Sequence, residues 1–278
     1  MRIPVFTPLN MLHLRYPAVI AIVMTVTLCP SVPSAQVIPA VRKVSPAKTF
    51  VAGDVGYTDF GGDIDPWRFA SLAFGRSTSR GSLIARLNYA NRFATSGAQV
   101  EADAYPRINA TTYAYVNVGY SRSDIFPAWR FGGEVFKSLP NAWETSLGFR
   151  QLRFSGSPVT LFTGTLGKYA GDYWVSLRPF LRFKPTGASA SAGITARKYF
   201  ADGDHYLGMR ASYGTSPSDA ITPDQLSRTR SYSADVHGSG GPWLRRVATW
   251  SAGYEHEELS PGRFRRSWTG TAGLKLIF

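Results

Sequence analysis

Alternation with a period of two runs from Thr49 to Phe278, and it leaves this chain few ways to fold. Leu83, Ala85, Leu87 and Tyr89 alternate with Ser82, Ile84, Arg86 and Asn88. Ala114, Val116, Val118 and Tyr120 alternate with Tyr113, Tyr115, Asn117 and Gly119. The same pattern returns at Tyr173–Arg178, Leu207–Tyr213 and Ala248–Tyr254, and it ends on Trp268, Gly270, Ala272, Leu274, Leu276 and Phe278. Successive side chains of a strand point to opposite faces, so period two means β-strand. No comparable window carries a helical stripe. The class is all-β.

Breaks rich in Gly, Pro, Asp and Asn divide the pattern near 60–65, 78–81, 92–96, 105–110, 122–128, 138–141 and 154–158. They continue near 169–172, 184–188, 200–204, 214–227, 239–242 and 257–262. This spacing predicts about fourteen antiparallel strands, with twelve as the alternative, and alternate breaks that are short turns. The longest break, 214–227, falls in the other set, as in barrels whose turns are short on one side of a membrane.

The apolar faces mix Leu, Val, Ala and Gly with Tyr and Trp near the strand ends. The opposite faces carry Arg86, Glu101, Asp103, Arg130, Glu134, Glu144, Arg150, Arg178, Arg182, Arg197, Arg210 and Asp235. A soluble barrel fills its interior with the apolar face. Here the distribution fits the inverse, with an apolar band and aromatic girdles facing lipid and charge facing a lumen. Open sheet edges do not persist in lipid, so the sheet must close. The expected fold is a closed antiparallel transmembrane β-barrel over residues 49–278.

The N-terminus supplies a route out of the cytoplasm. Pro17–Leu28 is the one continuous apolar run, too short for the roughly 20 residues of a spanning helix. It follows Arg2 and Arg15 and precedes Ser31-Val32-Pro33-Ser34-Ala35, the layout of a secretory signal peptide over residues 1–35, cut after Ser34 or Ala35. Leu28 stands where a lipoprotein signal before Cys29 needs a small residue. Cys29 is the only cysteine and leaves with the leader, so the mature chain has no internal disulfide. Residues 36–48, with Pro39 and Pro46, read as a linker. The net charge is +13 over 278 residues and +11 once the leader's Arg2 and Arg15 are removed; this mature charge suits contact with anionic lipopolysaccharide, and the leader argues against nucleic acid as the partner.

Several strings resemble a family. Glu101-Ala102-Asp103-Ala104-Tyr105-Pro106-Arg107 precedes the Tyr113 strand; Leu147-Gly148-Phe149-Arg150, Thr165-Leu166-Gly167-Lys168-Tyr169 and Tyr173-Trp174-Val175-Ser176-Leu177-Arg178 follow in order. Together they resemble the YaiO-type outer-membrane β-barrel family over most of the mature chain. The resemblance implies a single barrel in the cell outer membrane and a loose link to cell-surface polysaccharide. It implies no catalytic residue, cofactor or metal. The last strand resembles the assembly signal of Gram-negative outer-membrane proteins, with Leu274, Leu276 and Phe278 read by the barrel-assembly machinery.

Three constellations compete for a function. Arg86, Glu101, Asp103, Glu134, Arg150, Arg178, Arg197 and Arg210 are expected to line the lumen. They form either a narrow pore favouring anions or a scaffold in which Arg86, Arg150, Arg178 and Arg197 pair with Glu101, Asp103, Glu134 and Glu144. Asp235, His237 and Ser239 share one strand face and resemble the base and nucleophile of an outer-membrane acyl hydrolase. Gly240 replaces the Asn common after such a Ser, and the trio is expected at a periplasmic turn facing the lumen. Tyr254-Glu255-His256-Glu257-Glu258 is expected in a solvated external loop, not a cation site. The leading reading is a non-enzymatic structural or transport barrel, porin-like and without cofactor. The alternatives are a lipid acyl hydrolase using His237 and Ser239, and an adhesin binding through loop 214–227.

Overall fold

The computed structural model describes residues 48–92, 94–154, 158–184, 187–200, 203–215, 230–243 and 245–278. Fourteen strands follow in order: β1 (Lys48–Asp59), β2 (Trp67–Thr78), β3 (Gly81–Arg92), β4 (Thr95–Pro106), β5 (Thr112–Ser121), β6 (Trp129–Leu139) and β7 (Trp143–Arg153). The second half comprises β8 (Pro158–Ala170), β9 (Tyr173–Lys184), β10 (Gly187–Tyr199), β11 (Tyr206–Gly214), β12 (Arg230–Trp243), β13 (Arg246–Ser260) and β14 (Arg263–Ile277). Each pairs antiparallel with its sequence neighbours, and β14 returns to β1 to close the barrel. At the seam, the Phe278 N–H donates to the Thr49 carbonyl at 2.8 Å. The even strand number puts both ends of the barrel sequence at one rim, called here the termini rim.

The turns of the termini rim are short. Asn141 lies at φ 57° in the single 3-10 turn Pro140–Ala142 that joins β6 to β7, a left-handed conformation that Asn tolerates better than most residues. Longer connections at 60–66 and 122–128 lie at the far rim. The expected signal peptide, the expected linker apart from Lys48 and most of loop 214–227 lie outside the described residues; Lys48 is the first residue of β1.

Two expectations need correction. The break near 239–242 does not occur: β12 runs on to Trp243, with a register shift between Gly240 and Trp243 that absorbs the glycines. The trio of Asp235, His237 and Ser239 is therefore inside a strand and not at a turn. The acidic string Tyr254–Glu258 is likewise strand, because β13 extends to Ser260. Cross-strand bonds to β12 and β14 hold it extended despite its polarity.

Burial is inverted relative to a soluble protein. Leu83 is 62% exposed on the outer face and Leu147 75%, while Glu134 and Asp103 inside are each 2% exposed. Outward Tyr57, Tyr89, Trp129, Tyr213 and Tyr232 gather toward the far rim; Trp143, Tyr173, Phe200 and Phe278 gather at the termini rim. So much continuous apolar surface, banded between aromatic girdles, is stable only against hydrocarbon. Among the described residues no helix is long and apolar enough to cross a membrane; the strands do the crossing.

Candidate functional site in the barrel lumen

The inward positions of β3 to β9 build two ionic clusters that meet where Arg150 lies over the Tyr115 ring. Strand register sets Arg86 opposite Glu101, and the two meet at 3.5 Å; Arg86 also reaches Asp103 at 3.2 Å. Asn117 and Tyr115 donate to the second face of Asp103, at 2.6 and 3.1 Å. Arg130 reaches Glu101 at 3.1 Å although β5 lies between their strands. The residue opposite both is Gly119, and a Cβ there would lie 2.7 Å from Arg130 Cγ and 3.1 Å from Glu101 Cγ. A glycine gap on β5 lets next-nearest strands bond over it.

Glu134 is the second hub. Its side chain has no exposure; it accepts from Arg150 at 2.8 Å, Arg178 at 3.0 Å and the Ser146 hydroxyl at 2.5 Å. Arg150 also lies over the Tyr115 ring, 4.8 Å from its centroid. Such fully satisfied carboxylates hold the wall rigid, since an unpaired charge there would carry its whole desolvation penalty.

These groups surround a cavity of about 690 Å³. Tyr105, Tyr113, Tyr115 and Phe136 contribute ring faces to its wall, with Tyr113 and Phe136 stacked at 4.6 Å. Toward the far rim the lumen is packed. Arg92 lies over Trp67 and Phe126, and Arg265 lies over Phe60 and Trp67 while forking onto buried Glu257 at 2.7 and 2.9 Å. Leu152, Phe154, Val159 and Leu161 form an apolar cluster on the inner faces of β7 and β8 and the connection between them.

A second cavity, about 320 Å³, lies along β10 to β13 and is lined by Arg197, Arg210, Asp235 and His237 among others. Arg210 pairs with Asp235 at 2.8 Å, and His237 Nδ1 lies 2.8 Å from the other Asp235 oxygen.

Of the eight residues assigned to the lumen from sequence, Arg86, Glu101, Glu134, Arg150 and Arg178 line the larger cavity, and Asp103 bonds to Arg86 at its wall. Arg197 and Arg210 line the smaller one. The expected pairing of Arg197 with a carboxylate does not occur among the described residues; its guanidinium packs over Tyr206 and Trp174 instead. Glu144 makes no ion pair there either, sitting beside Tyr113. The sequence reading missed Arg92, Arg265 and Glu257, and it missed the gap at Gly119. A glycine on the inward face between two charged strands is the signal that would have found it.

The hydrolase geometry is not formed. The Ser239 hydroxyl donates to the Asp204 carbonyl at 2.7 Å, and the free side of the His237 ring faces Arg197 Nε at 3.4 Å. His205 lies 3.2 Å from the Gly241 carbonyl. In the string Tyr254–Glu258, alternate residues take opposite faces and Glu257 is committed to Arg265. Among the described residues no group of three His, Cys, Asp or Glu could hold a metal ion.

Family assignment follows from residues 48–219, which match the YaiO membrane beta barrel domain from β1 to beyond β11. The chain belongs to the YaiO membrane β-barrel family. The remaining strands, β12 to β14, complete the wall of this YaiO-family barrel. Solved structures share the fold alone. Acinetobacter baumannii Omp33 is 11% identical with a TM-score of 0.51, covering 83% of this chain and 98% of its own. Pseudomonas putida OprB is 7% identical with a TM-score of 0.49, covering 84% and 94%. An anion-selective porin from Comamonas acidovorans is 10% identical with a TM-score of 0.45, covering 84% and 98%. No curated protein matches the chain. It is an outer-membrane β-barrel protein.

Proposed function

We propose that this barrel is non-enzymatic and admits anionic and hydroxyl-rich solutes, acidic saccharide material in particular, into a charge-lined lumen. One observation carries the reading: Glu101 and Glu134 are each shared by two guanidinium groups. The carboxylates of Glu101, Asp103 and Glu134 are thereby spent on four guanidinium groups of the wall, whose N–H donors face the larger cavity and favour an anion there. Arg forks match carboxylates, and exposed Tyr faces with hydroxyl tips suit a solute that is polar on one side and apolar on the other. The scaffold and passage readings coincide here, since the same ion pairs stiffen the wall and set its sign.

The rest of the reading concerns delivery. Residues 1–35 direct export and are cleaved, Leu274, Leu276 and Phe278 serve recognition by the assembly machinery, and the basic surface contacts lipopolysaccharide. The link to cell-surface polysaccharide belongs to the same proposal. Single-channel recording of the refolded protein in a KCl gradient tests it. Small conductance with chloride-selective reversal potentials is expected, because Arg92 and Arg265 crowd the far rim. Cation selectivity, or silence over many insertions, overturns passage.

A further inference from the structure

Arg197 differs from the other ion-network arginines of the lumen in having no carboxylate partner among the described residues. Its position is nonetheless tightly specified. The guanidinium carbon lies 4.7 Å from the Tyr206 ring centroid and 5.4 Å from that of Trp174, so the flat group is held against aromatic faces. Its Nε donates to His237 Nε2 at 3.4 Å, and His237 Nδ1 is fixed 2.8 Å from Asp235. With Arg197 Nε donating to His237 Nε2, the Nδ1 side of the ring is the one that faces Asp235 as a donor. The negative charge of Asp235 is already met by Arg210 Nε at 2.8 Å. A relay from Asp235 through His237 thus orients the Arg197 fork without neutralising it.

Gly208 makes this contact possible. Cross-strand register places Gly208 opposite Arg197 on one side and opposite His237 on the other. A Cβ at 208 would lie 2.5 Å from His237 Nε2 and 3.0 Å from Arg197 Cγ. Any larger residue would part the pair. Arg197 and His237 both line the smaller cavity, about 320 Å³, which is in the size range of small-molecule sites. Ser233 and Ser251 stand in the same wall, each already paired with one neighbouring hydroxyl and each retaining hydrogen-bonding capacity.

We propose that the smaller cavity is a binding site for a single carboxylate, with Arg197 as the anchoring fork and the serine hydroxyls meeting the hydroxyls of an acidic sugar. A planar, oriented guanidinium with no carboxylate partner among the described residues is complementary to a carboxylate in bidentate geometry. Asp235 and Glu255 lie in the same wall, so a polyanion is disfavoured and a monoanion fits. The site goes beyond passage: a barrel that conducts nothing still binds here, and one that conducts can lack the site.

Equilibrium dialysis of refolded, detergent-solubilised protein against radiolabelled glucuronate, at low ionic strength, tests the proposal. Saturable binding is expected for the wild type, with neutral glucose unable to compete. Arg197→Gln should weaken binding by about tenfold or more, the scale of a lost charge-assisted hydrogen bond. Arg197→Lys keeps the charge and loses the fork, so it falls in between and serves if Arg197→Gln fails to fold. Gly208→Ala, which leaves the charge in place and turns it, should also weaken binding while heat-modifiable gel mobility stays that of a folded barrel. Equal binding by wild type and the folded Arg197 variant, competition by glucose, or no saturable binding would overturn it.

Discussion

Arg178 on β9 donates to Glu134 on β6 at 3.0 Å, across the two strands that separate them in the sheet. A ladder neighbour could not do this; the bond is a chord cut inside the curve of the wall. Together with Arg150 it turns one carboxylate into a tie for three strands. The barrel's interior is therefore braced by side chains as well as by its backbone ladder, and this arrangement yields specific expectations.

Removing the charge of Glu134 should be costly. Glu134→Gln leaves Arg150 and Arg178 without their shared counter-ion in a nearly dry position, and breaking such a pair costs about 3 kcal/mol. Urea unfolding of the refolded barrel should show that loss. Replacing all three by apolar residues of similar size should recover most of it, whereas an unchanged midpoint for Glu134→Gln would mean the hub contributes nothing.

At Gly119 the expected effect is steric. Gly119→Ala puts a methyl between Arg130 and Glu101, for a cost of about 1–3 kcal/mol. Truncating Arg130 to Ala first should relieve most of that cost. A double-mutant cycle that comes out additive would show that the two strands do not depend on the gap.

The His237 and Ser239 substitutions should be silent enzymatically. Because the Ser239 hydroxyl bonds to Asp204 and not to the imidazole, phospholipid and lipid A deacylation should stay at background in the wild type. His237→Ala and Ser239→Ala should leave it there. Robust deacylation abolished by both substitutions would replace the non-enzyme reading with the hydrolase one.

Phe278 closes the seam with Thr49 and turns its ring outward at the termini rim, 68% exposed. Phe278→Ala should lower the amount of folded barrel recovered in outer-membrane fractions, while Phe278→Tyr and Phe278→Trp stay near wild type. The readout is heat-modifiable gel mobility. Wild-type recovery of the Ala variant would remove the interfacial ring from the account of assembly.

Much of this was legible from residues alone. Alternation fixes which side chains share a face, because a strand has no freedom to do otherwise, and so Leu83 and Leu87 could be set against Arg86 before any coordinates. The strand count followed from turn chemistry, which is local. Where local signals were weak the reading slipped: Gly240, Gly241 and Pro242 looked like a turn, yet β12 runs through them because β13 pairs with Gly240 and, after a register shift, with Trp243. The acidic string at 254–258 slipped the same way, with Glu257 made tolerable in a strand by Arg265. Partner choice was beyond the sequence altogether. That Glu134 meets Arg178, and that Arg197 meets His237 over Gly208 and no carboxylate among the described residues, depends on register between strands, on the curvature of closure and on where a missing side chain leaves room. Period two decides the face of each residue; only the closed sheet decides what stands across from it.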